Sequence, residues 1–233
     1  MSGNAGCCPW QDALYRGILR QERRIWVGGE PPERVSGQLK QILDDNPQIF
    51  WFDGRWRWIR QGNGSWVEPL YRLSGAEIRA AQDAIRVVTL QQSQWAAGSE
   101  REKICGVYFW LLENVSYGLG ASDGQTIFDA LVLRQAVCKG LAKSMQFLLG
   151  QMEVPVWLCS GTLDGTTRHI WNAVKLDGTV YNVDVSPAYP CFDSFFTGAE
   201  RQDRSRGLLL LEEQRKQLHQ HFRTRNENES DKM

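Results

Sequence analysis

His169-Ile-Trp-Asn-Ala-Val-Lys-Leu-Asp177-Gly178-Thr-Val-Tyr-Asn-Val-Asp-Val-Ser186 consists of two alternating runs joined by Asp-Gly. That dipeptide suits a type I′ turn, whose central positions both need positive φ, so the stretch reads as a β-hairpin. A turn of Asp177 and Gly178 alone sets Leu176 opposite Thr179. Counting back then sets Trp171 opposite Asp184 and His169 opposite Ser186. Side chains alternate with period two, so His169 and Asp184 leave the same face as diagonal neighbours. The opposite face collects Ile170, Val174, Leu176, Tyr181, Val183 and Val185, a credible core face. A slip of one residue would put His169 and Asp184 on opposite faces.

Upstream, Cys138-Lys-Gly-Leu-Ala-Lys-Ser-Met-Gln-Phe-Leu-Leu149 is amphipathic, with Leu141, Met145, Leu148, Leu149 and Met152 at helical spacing. Cys138 therefore opens a helix. Unpaired N–H groups and the positive end of the helix dipole favour the thiolate there, which is the nucleophilic form, and Lys139 adds positive charge nearby. The order Cys138, His169, Asp184 is that of a nucleophile, a base and the acid that orients the base. Trp171, from the same face as His169, is placed to shield the acid and to line the floor of a cleft.

Three segments, Ala136-Val-Cys-Lys-Gly140, Arg168-His-Ile-Trp-Asn172 and Tyr181-Asn-Val-Asp184, carry these residues. Together with Leu111-Leu-Glu-Asn-Val-Ser-Tyr117 they resemble the transglutaminase-like superfamily of papain-type thiol enzymes, in its bacterial form. The resemblance runs over about 99–189. It implies an α+β fold in which a nucleophile-bearing helix packs on an antiparallel sheet. It also implies a Cys138–His169–Asp184 triad that forms a thioester from an amide or peptide bond of a peptide or protein substrate, with no cofactor. The backbone N–H of Cys138 is the natural first oxyanion donor, with Tyr117 and Gln135 as candidates for the second. Tyr117 is a candidate because an aromatic residue precedes the nucleophile at a similar place in resembling sequences. The chain departs from the bacterial pattern at Leu141, Arg168 and Val185-Ser186, positions that bear on substrate fit.

Composition narrows the field. The chain has 233 residues, enough for a substantial core, with 42% hydrophobic and 23% charged residues. Lys plus Arg equals Asp plus Glu at 27 each, so no overall field draws nucleic acid or an anionic membrane. No apolar run approaches the ~18 residues of a membrane span. Residues 1–10 lack the basic and apolar regions of a signal peptide, which makes a cytoplasmic location the expectation. The six cysteines (Cys7, Cys8, Cys105, Cys138, Cys159, Cys191) show no Cys-x-x-Cys spacing, so no metal site is expected. Cys105 and Cys159 read as small buried hydrophobes.

Around the catalytic segments the chain divides into an N-terminal helical and Trp-rich region (1–98), a catalytic core (99–211) and a polar tail (212–233). Helical patterning covers 12–24 and 32–45. A second Asp-Gly pair, Asp53-Gly54, predicts a hairpin of 48–52 with 55–59, and Gly62-Asn-Gly64 marks a further turn. Trp51, Trp56, Trp58 and Trp66 crowd this region and read mainly as packing. Ser74-x-x-Glu77 and Ser99-x-x-Glu102 are capping boxes announcing two helices. Residues 116–125 read as a loop, 126–134 as a short helix, 187–206 as irregular cover, 208–222 as a terminal helix and 223–233 as a polar tail. Competing readings are an inactive relative serving as a peptide-binding or scaffolding module, a metal site on Cys138, His169 and Asp184, and glycan binding on the Trp-rich hairpin. Hydrolysis and amine transfer use the same triad. No dedicated amine site is evident, which favours hydrolysis, and oligomeric state has no sequence signal.

Overall fold

The computed structural model describes residues 9–120, 122–163, 167–177 and 179–186. The expected irregular cover, terminal helix and polar tail after 186 lie outside the described residues, as do Cys7, Cys8 and Cys191. The chain forms two compact units, 1–84 and 85–233.

In the first unit, α1 (Pro9–Leu19), β1 (Ile25–Gly28) and α2 (Pro32–Asp45) precede β2 (Phe52–Gln61) and β3 (Gly64–Tyr71). The three strands form an antiparallel sheet in the order β1-β3-β2. Ile25 pairs with Val67, and both are buried against a core that includes Leu14, Ile18, Val35, Leu39 and Ile42. The helix expected over 12–24 ends five residues earlier, because Ile25-Trp-Val alternates buried and exposed as a strand does.

The Asp53-Gly54 hairpin does not form. Instead β2 runs straight through both residues and shifts register between Phe52 and Trp56, a bulge at which Gly54 takes a φ of 89°. The reversal comes at Gly62-Asn63, with Gln61 paired to Gly64 and φ 59° at Gly62. Glycine at the first central position is what a type II′ turn requires. Trp56 and Trp58 are half-buried, in edge contact with centroids 5.6 Å apart, as packing residues of a strand would be.

The second unit is α+β. Both expected capping boxes are present. Ser74 accepts from the Glu77 N–H at the start of α3 (Gly75–Gln92), a helix that begins in the first unit and ends in the second, and the pairing at Ser99 and Glu102 is reciprocal at the start of α4 (Glu100–Asn114). After α4 come β4 (Ser116–Tyr117), α5 (Ile127–Leu131), β5 (Gln135–Ala136) and α6 (Cys138–Gln151). An antiparallel sheet follows, β6 (Val156–Leu163), β7 (Thr167–Leu176) and β8 (Thr179–Val183), in the order β6-β7-β8. Helix α6 contacts β6 and β7 on one side and α4 and α5 on others. It buries Leu141, Met145, Leu148 and Leu149, four of the five residues expected at helical spacing, and Met152 is buried just past its end. The helix on an antiparallel sheet is the arrangement expected of a transglutaminase-like core. Among the described residues no helix is long and apolar enough to cross a membrane.

Candidate active site

The β7–β8 ladder runs from Leu176 opposite Thr179 to Asn172 opposite Val183, the register that a turn of Asp177 and Gly178 demands. Asp177 has φ 50°, in the region such a turn needs. Asn172, Val174, Leu176 and Val183 are buried on one face, while Lys175, Val180 and Asn182 are exposed on the other. Asn172 is an unexpected polar member of the buried face. Its amide donates to the Ala142 carbonyl at 3.0 Å and the Trp157 carbonyl at 3.4 Å, fastening β7 to α6 and to β6.

At the far end of the hairpin His169 Nε2 and Asp184 Oδ2 are 2.5 Å apart, with both residues buried. The other carboxylate oxygen accepts the Ser186 N–H at 2.9 Å. An ionised carboxylate only accepts, so against Asp184 the imidazole Nε2 is the donor. Trp171 stacks beside the imidazole, centroids 6.2 Å apart and planes 15° from parallel. Its indole N–H donates to Asn182 Oδ1 at 3.0 Å. The ring lies over Gly161, where a Cβ would come within 2.7 Å of it. Trp171 is thus held in place on the imidazole side, where the register puts it.

Cys138 is the first residue of α6. Val137 is the N-cap, extended at φ −94° and ψ 178°, and no side chain caps the helix. The thiol is free and half-buried. A helix start without a side-chain cap leaves its first N–H groups to the sulfur and to whatever binds beside it.

The loop expected over 116–125 contains a strand. Two-residue β4 pairs in parallel with two-residue β5, Ser116 opposite Gln135 and Tyr117 opposite Ala136. This bridge sets Tyr117 beside the segment that delivers Cys138. The Tyr117 phenol feels both the backbone and the side chain of Cys138. Burial pushes its pKa up, with the charge of Cys138 as the next cause. The Cys138 backbone N–H pulls it down, and the Cys138 side chain and the Asp184 carboxylate raise it further. The phenol therefore keeps its proton well into the alkaline range and remains a donor.

Gln135 does a different job. Its Nε2 donates to the Leu119 carbonyl at 3.0 Å, and its side chain packs where Gly120 has none. The structure thus joins His169 to Asp184 and sets Tyr117 on the strand beside Ala136, two residues before Cys138. Burial pushes Cys105 up to about 11, and it raises Cys159 as well. Among the described residues no group of three or more His, Cys, Asp or Glu side chains is placed to hold a metal ion.

No protein-family model matches the chain, and neither does any curated protein. Solved structures similar to it include a transglutaminase, with 14% identity and a TM-score of 0.43 over 65% of this chain and 47% of that one. A candidate cysteine protease from Cytophaga hutchinsonii shares 14% identity at a TM-score of 0.38, over 57% of this chain and 62% of its own. A candidate protease from Parabacteroides distasonis shares 12% identity at a TM-score of 0.34, over 58% and 36%. In each case the chain spans less than two thirds of the neighbour's length.

Proposed function

We propose that this protein is a transglutaminase-like thiol enzyme that cleaves or transfers amide bonds of peptide or protein substrates through a Cys138 thioester. The observation that carries the reading is the buried His169–Asp184 pair, 2.5 Å apart on the hairpin that also fixes Trp171. An imidazole locked by a carboxylate in one tautomer is what a general base needs, and core packing has no use for it. The Tyr117 phenol against Cys138 supplies the second element, a neutral donor beside the nucleophile.

In the reaction, His169 Nδ1 accepts the Cys138 proton and the sulfur attacks the carbonyl carbon. The carbonyl oxygen gains negative charge, met by the Cys138 N–H and the Tyr117 O–H. As the tetrahedral species collapses the C–N bond breaks, and the imidazolium returns its proton to the leaving amine or ammonia. Asp184 stabilises the imidazolium in between. Water then enters, gives a proton to His169 and breaks the C–S bond, releasing the acid and restoring the thiol. An amine in place of water gives transfer by the same steps. We favour hydrolysis, since water needs no site of its own.

Incubation with Gln-containing peptides and labelled cadaverine tests both halves. The expected result is ammonia release in excess of amine incorporation, abolished by Cys138→Ala with the fold intact. Efficient incorporation would reverse the preference for water. Wild-type turnover by Cys138→Ala would end the mechanism. Absence of any acyl adduct on Cys138 across the panel would favour a peptide-binding module.

A further inference from the structure

The buried carboxylate of Asp129 takes no part in the chemistry above, yet it is the hub of a hydrogen-bond chain that ends at Val137, the residue before Cys138. Asp129 is 3% exposed. One carboxylate oxygen accepts the Thr126 N–H at 2.9 Å and the Thr126 hydroxyl at 2.8 Å, closing the capping box of α5. The other accepts the Ser122 hydroxyl in a short hydrogen bond. Ser122 Oγ in turn accepts the Gly124 N–H at 3.3 Å. The Gly124 carbonyl accepts the Val137 N–H at 3.0 Å, and Val137 is the N-cap of α6, bonded directly to Cys138.

The last link is also a close approach. Gly124 holds a φ of 66°, and a Cβ on Gly140 would strike the Gly124 carbonyl oxygen. Gly140 therefore allows the loop backbone to lie against the first turn of α6, which accounts for the glycine two residues after the cysteine. Lys139 adds a second tie, its Nζ donating to Gln125 Oε1 at 3.3 Å.

We infer that Asp129, acting through Ser122 and Gly124, is a positioning residue that holds the start of α6 so that its N–H groups stabilise the Cys138 thiolate. This rests on Cys138 being the nucleophile. The geometry separates two roles of one carboxylate, since the Thr126 bonds stabilise α5 while the Ser122 bond leads to the N-cap of α6. Without the Ser122 link the Gly124 carbonyl is free to turn from Val137, and the first turn of α6 loosens. The thiolate then loses the aligned N–H groups that favour it at a helix start.

The test is the pH–rate profile of Cys138 alkylation by iodoacetamide in the full chain, mapped by mass spectrometry, with thermal melting alongside. Ser122→Ala should move the inflection to higher pH and slow alkylation at pH 7 about fivefold, with little change in melting temperature. Ser122→Thr, which keeps the hydroxyl, should restore the wild-type profile. Thr126→Ala should lower the melting temperature and leave the inflection in place. A Ser122→Ala profile superimposable on wild type overturns the inference, as does Thr126→Ala shifting the inflection equally. If wild-type Cys138 itself reacts no faster than Cys159, it is the proposed function that fails, an outcome these variants cannot mimic.

Discussion

Between Leu176 and Thr179 the chain reverses and carries His169 onto Asp184, whereas the other Asp-Gly pair, Asp53-Gly54, sits inside a strand that runs on for seven more residues. The difference lies in the flanks. Runs of alternating character bracket Asp177-Gly178, and no competing turn is near. Around Asp53-Gly54 the upstream residues Ile49, Phe50, Trp51 and Phe52 are all buried, a continuous apolar run that cannot serve as a two-faced strand. Eight residues later Gly62-Asn63 offers a turn with alternating runs on both sides. Asp53 is then free for other work. It accepts from the Arg55 N–H and guanidinium at 3.0 and 2.7 Å and from Arg72 at 3.0 Å, pinning the bulge. A turn dipeptide permits a reversal, and pairing on both sides decides whether it happens.

The contrast can be broken most severely by one inserted residue. An alanine between Asp177 and Gly178 should abolish turnover, because a register slip or a longer loop pulls His169 off Asp184. The same insertion between Asp53 and Gly54, at an existing bulge, should leave turnover within a few-fold of wild type. Comparable losses at both positions would contradict the account.

A smaller perturbation leaves the register alone. Asp184→Asn should lower kcat by about 10²–10⁴ with the hairpin intact, since the amide no longer enforces the Nε2–H tautomer or stabilises the imidazolium. Steady-state kinetics beside a far-UV CD spectrum would read it, and wild-type kcat in Asp184→Asn would mean the hairpin serves packing alone. The smallest effect belongs to the other Asp-Gly pair. Gly54→Ala, at φ 89° and 3.2 Å from Leu43 Cδ1, should cost about 1–2 kcal/mol in denaturant melts and leave kcat unchanged.

Much of the region from Ser74 to Val183 was legible in the sequence, since helical periodicity after Cys138, two capping boxes and the 169–186 alternation are local signals that tertiary packing left in force. The bridge of β4 with β5 was not legible. Two residues per strand carry no periodicity, and Ser116 and Tyr117 open a stretch rich in Gly and Ser that reads as loop. The role of Ser122 and Asp129 was hidden for a related reason: the partner they position is reached through backbone atoms, which no side-chain pattern reports. A hint was present in Thr126-x-x-Asp129, a capping box with Asp in place of Glu. In the first unit β1 was masked because four residues are too few to compete with the helical pattern before them.

The central claim is that Cys138 is a nucleophile activated by His169 and Asp184, and alkylation of the folded protein tests it most directly. Iodoacetamide labelling across pH, with each thiol mapped, should find Cys138 modified fastest at neutral pH. Cys159 should lag because burial raises its pKa, and Cys105, at about 11, should stay protected until the chain unfolds. His169→Ala should slow Cys138 labelling and shift its inflection upward while leaving Cys159 unchanged. Faster labelling of Cys105 or Cys159 than of Cys138 in the folded protein, or a Cys138 rate indifferent to His169→Ala, would contradict the claim.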